Sequence, residues 1–189
     1  MIKEFKFEKK KVSTASEPLP AGGYVAKIMG VENAIYDWGN VLIISFDIDD
    51  GEHKGFFTKQ YKENTNEDKK WKGNYRLRVP DEKNQYFESQ KKTFGNFIAC
   101  VEESNDGYVF DWDETKLKGK LIGVLFRNEE WEYDGSTGWT TKCCAVVGVE
   151  DIKQGKFKTP KDKPLKKTVT PSVNDFATST ADDDEDLPF

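Results

Sequence analysis

Over residues 40–48, NVLIISFDI, a period of two puts Leu42, Ile44, Phe46 and Ile48 on one side and Val41, Ile43, Ser45 and Asp47 on the other. That alternation predicts a strand whose first side faces a core. Upstream, YVAKIMGV (24–31) reads as another strand, entered through the punctuation of EPLPAGG and followed by a loop carrying Tyr36, Asp37, Trp38 and Gly39. The Asp49-Asp50-Gly51 turn then leads into HKGFFTKQY (53–61). Alternation of Phe57, Lys59 and Tyr61 there predicts a third strand, closing a hairpin. A polar stretch over 62–73 is broken by Trp71, and YRLRV (75–79) reads as a short additional strand.

The apolar spacing changes to three and four at Phe94, Phe97, Ile98 and Val101, which predicts a helix over 89–103. Gly95 opposes it by only about 1 kcal/mol relative to alanine. Strand patterning returns in KLIGVLFRNEEW (120–131) and TTKCCAVVGVED (140–151), joined through a DGSTG turn. Three strands, a helix and two strands is the order of the OB-fold. The expected fold is therefore all-β with one helix: a five-stranded Greek-key barrel with the helix between strands 3 and 4, with other small barrels left open. Beyond Gly155 the apolar rhythm gives way to Pro, Lys, Thr, Ser and Asp, a composition that cannot supply a core and predicts a disordered C-terminal tail. The expected organisation is an N-terminal extension (1–20), an OB-fold domain (21–152), a flexible lysine-rich linker (153–181) and an acidic tip (182–189).

Charge alters this picture by its placement. The chain carries 29 Lys and Arg against 34 Asp and Glu, and five of the acids occupy 182–186, leaving 29 of each sign elsewhere. Residues 151–170 hold seven lysines against two aspartates. A net charge of -5 thus describes a patterned chain, not one that repels polyanions throughout. No apolar run approaches the roughly 20 residues of a membrane helix, and the start MIKEFKFEKKK lacks a secretory apolar stretch, so a cytoplasmic protein without membrane contact is expected. Cys100, Cys143 and Cys144 are odd in number, two of them adjacent, and predict no disulfide framework.

The chain closes on DDDEDLPF, where a purely solubilising acidic tail would have no use for an apolar end. Phe189 would present an aromatic ring together with a terminal carboxylate, which one apolar pocket flanked by Arg or Lys could capture. This ending resembles the C-terminal tip of bacterial single-stranded DNA-binding proteins: an acidic run, a small apolar residue, proline and terminal phenylalanine. PLPAGGYVAKI, ISFDIDDGEHKGFF, FGNFIACVEESNDGYVFDWDE and LKGKLIGVLF likewise resemble a family of phage-encoded single-stranded DNA-binding proteins. The resemblance implies that Asp182, Asp183, Asp184, Glu185 and Asp186 form the acidic run and that Leu187, Pro188 and Phe189 form the apolar terminus. It further implies that this tip docks replication, recombination or repair enzymes in a phage-infected cell.

A sequence-tolerant single-strand binder needs rings for bases and cations for phosphates. Trp38, Tyr61, Trp71 and Trp131 are the candidate stacking residues, and Lys59, Arg76, Arg78 and Arg127 the candidate phosphate contacts, with Lys27 and Lys54 in reserve. Large rings also cover barrel ends and line subunit contacts, so each competes with a packing role. A homodimer is the default for a small barrel that offers an edge. Nothing in the residues calls for a cofactor or metal: His53 is the sole histidine, and the cysteines lack paired metal spacing. Two acidic groups, Asp47, Asp49, Asp50 and Glu52, then Asp111, Asp113 and Glu114, keep open a metal-dependent nuclease. A protein–protein adaptor without nucleic-acid binding is the stronger rival. The main expectation is a non-catalytic protein that coats single-stranded DNA.

Overall fold

The computed structural model describes residues 18–165. Most of the expected N-terminal extension, the linker from 166 and the whole tip, 182–189, therefore lie outside the described residues. Within them, five strands form one antiparallel sheet in the order β3-β2-β1-β4-β5. They are β1 (Gly22–Tyr36), β2 (Gly39–Ile48), β3 (Asn74–Arg78), β4 (Leu121–Tyr133) and β5 (Ser136–Val147). β1 is shared between two neighbours: its first part pairs Gly22 to Lys27 with Phe126 to Leu121, and its later part pairs as far as Tyr36 with Gly39 of β2. The two pairings overlap at Ala26 and Lys27, and a bulge between Ile28 and Gly30 interrupts the β2 pairing, with Met29 left exposed.

The expected barrel is not what forms. β3 and β5 remain the two edges of the sheet, and no ladder closes them. The protein is a mixed α/β fold, with three α-helices among the described residues: α1 (Phe56–Glu63), α2 (Phe87–Glu103) and α3 (Val149–Lys153). α2 packs against both edge strands. Phe97 stacks on Tyr75 of β3 at 6.4 Å, while Asn96 Nδ2 and Cys100 Sγ both donate to the Val146 carbonyl of β5. β3 and β5 come close to each other without a hydrogen-bonded ladder, and α2, whose backbone bonds are satisfied internally, packs across both.

The second correction concerns 53–61, where a strand was expected and α1 stands. Phe57 and Tyr61 are four residues apart, so they share a helix face as readily as a strand face. Asp47 decides between them. Its carboxylate, on β2 and 7% exposed, accepts the Phe57 and Thr58 amides at 2.9 and 3.1 Å and the Thr58 hydroxyl. Those amides are donors that a helix start leaves without partners, and an anion there also meets the positive end of the helix. The third strand of the sheet is instead YRLRV, read as a short addition.

The core lies on the side of β2 that the alternation assigns to it. Ile44 and Phe46 are fully buried and Leu42 and Ile48 nearly so. Phe46, Phe57 and Phe126 pack with centroids 5.8 to 6.1 Å apart, which seats α1 at one end of the sheet. Burial of each such side chain stabilises by about 1.5–3 kcal/mol. Asn105 ties the end of α2 to the start of β4, accepting from Leu121 N and donating to Leu121 O, both at 2.9 Å.

The first part of the expected flexible linker, 153–165, makes defined contacts. It ends α3, packs Phe157 against Gly23, and then pairs with the side of β4 that β1 leaves uncovered. Lys163 N donates to Asn128 O and Glu130 N to Lys163 O, at 2.8 and 2.9 Å.

Candidate nucleic-acid interface

The β1–β2 connection is a two-residue turn, Asp37 and Trp38, between the paired Tyr36 and Gly39. Gly39 has φ 130°, a backbone state that disfavours any side chain. A tryptophan in so short a turn has no sheet to bury it. Its indole stacks instead on Tyr36 at 4.9 Å with 5° between the planes, and the Arg78 guanidinium carbon sits 4.8 Å from the ring. Trp38 remains 52% exposed.

Arg78 reaches it by the period of two in β3. Leu77 is buried and Tyr75 turns in against Phe97, so Arg76 and Arg78 share the outward side and pair with Ile43 and Val41 of β2. Neither arginine has a carboxylate partner among the described residues. The result is a polarisable ring flanked by a second ring and a guanidinium, beside a second cation. Such a surface attracts both the π-face of a base and the charge of a phosphate.

The remaining sequence candidates separate into two other places. On α1, Tyr61 lies 5.8 Å from Trp71, with Lys69 Nζ 4.6 Å from the Tyr61 ring centre, and Lys59 is exposed on the same helix. Trp71 itself is half-buried. Its indole N–H donates to Phe46 O and Gly73 O at 3.1 Å, and its ring packs on the core beside Phe57. That use as packing leaves only part of its ring to a ligand.

The β4–β5 arm carries the third group. Arg127 spends Nε and one terminal nitrogen on Glu129 at 3.1 and 3.0 Å, and Lys142 joins the same carboxylate at 3.3 Å. Burial works to raise the Glu129 carboxyl, but the hydrogen bonds from Arg127 and Lys142 prevail and hold it below the usual range. Arg127 is thus engaged within the protein. Trp131 leans on its cross-strand partner Gly138, where a methyl group would come within 2.8 Å of the ring, and stays 40% exposed. This arm extends past the start of β1, whereas Trp38 follows the end of β1, so the two groups leave the sheet in opposite strand directions.

Of the reserves, Lys27 faces Asp49 at 3.8 Å and Lys54 is exposed. The acidic groups have local uses: Asp47 holds α1, Lys116 pairs with Asp111, and Asp113 caps the 3-10 helix Glu114–Leu117. Among the described residues, no group of three or more His, Cys, Asp or Glu is placed to hold a metal ion. Cys100 is buried, and Cys143 and Cys144 are half-buried. Burial pushes Cys100 up to about 11 and raises Cys143 as well.

Sequence reasoning passed over two residues next to Trp38. Lys83 and Tyr86, the latter 58% exposed, line one groove with Trp38 and Arg78. The available signal was a lone tyrosine at the end of the polar run DEKNQ, just before the helical spacing begins. Compared with known proteins, the chain matches no family model and no curated protein.

Proposed function

We propose that this protein is a non-catalytic binder of single-stranded DNA that coats transiently unpaired strands, suppresses their re-pairing, and recruits replication, recombination or repair enzymes through its acidic tip. The observation that carries this reading is the solvent-exposed Trp38 in contact with Tyr36 and Arg78, beside Arg76, which has no carboxylate partner among the described residues. Stacking on a ring tolerates any base, and cations spaced along an edge strand follow a backbone without reading sequence. The resemblance of DDDEDLPF to the bacterial tip supports the recruiting role. Asp182, Asp183, Asp184 and Glu185 with Asp186 supply salt-sensitive attraction, and Leu187, Pro188 and Phe189 the apolar anchor.

Alanine at Trp38 is expected to weaken oligo-dT binding by about 1–3 kcal/mol, measured by fluorescence anisotropy on a labelled strand. Arg78→Ala should weaken it and also flatten its salt dependence. Folded variants that bind as the parent does would remove this face from the account. A protein adaptor is the second reading, favoured by Val109 and Trp112, which are 75% and 81% exposed. An adaptor would leave the labelled strand unbound.

A further inference from the structure

The groove beside Trp38 deepens the single-strand reading and rests on it. Its lining is Trp38, Arg78, Lys83, Asn84, Gln85 and Tyr86. The 81–87 backbone that forms one wall is held by its own turns. Asn84 N donates to Asp81 O at 2.9 Å, Lys83 N to Asp81 Oδ1 at 3.0 Å, and Tyr86 N to Asn84 Oδ1 at 2.9 Å. Tyr86 also begins α2, its carbonyl accepting Gln90 N at 2.9 Å. An aromatic ring 58% exposed on so constrained a segment is presented to solvent at little further cost in backbone order. Trp38 and Tyr86 supply aromatic surface to the groove, and Arg78 and Lys83 supply cations with no carboxylate partner among the described residues.

We propose that this groove receives one nucleotide of an unpaired strand, with its base between Trp38 and Tyr86 and its phosphate on Lys83 and Arg78. The guanidinium that rests on the free indole occupies the place of the incoming base. On binding it gives up the ring and turns to the phosphate of the same nucleotide, so one arginine protects the ring when empty and neutralises charge when filled. Asn84 and Gln85 add hydrogen-bonding groups at the base edge that can accept more than one base.

The test is anisotropy of labelled oligo-dT with the full chain and three variants, across salt. Tyr86→Ala is expected to weaken binding about 5- to 50-fold, and Tyr86→Phe to restore it. Lys83→Ala should lower the slope of log affinity against log salt by about 0.7, the loss of one single-strand phosphate contact. Lys83 is exposed and among the described residues bonds only through its backbone, so this second variant remains informative if Tyr86→Ala unfolds. If the parent chain binds and both Tyr86→Ala and Lys83→Ala match it in affinity and slope, the groove is refuted while the single-strand reading stands. A parent chain that ignores oligo-dT refutes both.

Discussion

Asp47 shows how one residue can redirect a segment. It lies on the outward side of β2 by the period of two, yet it is nearly buried, because its carboxylate takes the Ile48, Phe57 and Thr58 amides and the Thr58 hydroxyl. Asp47→Ala would leave the Phe57 and Thr58 amides of α1 without this acceptor, and is expected to destabilise the fold by about 1–3 kcal/mol, read from the urea unfolding midpoint. An unchanged midpoint would show that α1 does not depend on this carboxylate. The same residue explains a limit of the sequence reading. A distant carboxylate that caps a helix leaves no local mark in HKGFFTKQY, so alternation of Phe57, Lys59 and Tyr61 was the stronger signal there. Arg127 also has a partner that the sequence does not mark: Glu129, two positions along the same strand face, accepts from its guanidinium. Trp38 and Arg78, far apart in the chain, were both singled out, but their contact depends on the β2–β3 register, which the sequence does not state.

Elements with strong periodicity were readable. The inward side of β2, the pair β4 and β5, and α2, which begins two residues before the predicted start, follow from apolar spacing, although β5 starts inside the expected DGSTG turn and stops at Val147, and the last residues of the predicted strand, from Val149, belong to α3. Closure of the sheet was not readable, because nothing in a strand pattern distinguishes a ladder from a helix laid across two edges. That helix seam has a measurable signature. Burial pushes Cys100 of α2 from 9.0 up to about 11, with Glu103 and Asp151 adding to it, and Tyr75 of β3 from 10.0 up to about 12. In the unfolded chain both groups release their protons earlier, so their contribution to stability is complete below about pH 9 and is lost as pH rises through the folded values. The melting temperature should therefore fall steadily between pH 9 and pH 11, beyond any change seen between pH 7 and 8. A level profile across that range would contradict the buried seam.

At the scale of the whole molecule, the exposed rings do not gather into one patch. Trp38 with Tyr36 lies beyond one end of β1, and Trp131, Tyr133 and Trp139 stand on an arm beyond the other, with segment 162–165 laid along that arm's inner side. Under the proposed function, a strand touching both would have to cross the sheet, a spread that suits binding without choice of sequence. The measurement closest to this claim is a titration of the folded, full-length chain against labelled oligo-dT and a duplex of equal length, from low to high salt. The account predicts tight binding to oligo-dT at low salt, weakening linearly on logarithmic axes as salt rises, and far weaker binding to the duplex. Oligo-dT left unbound at low salt, or a duplex bound equally well, would contradict it.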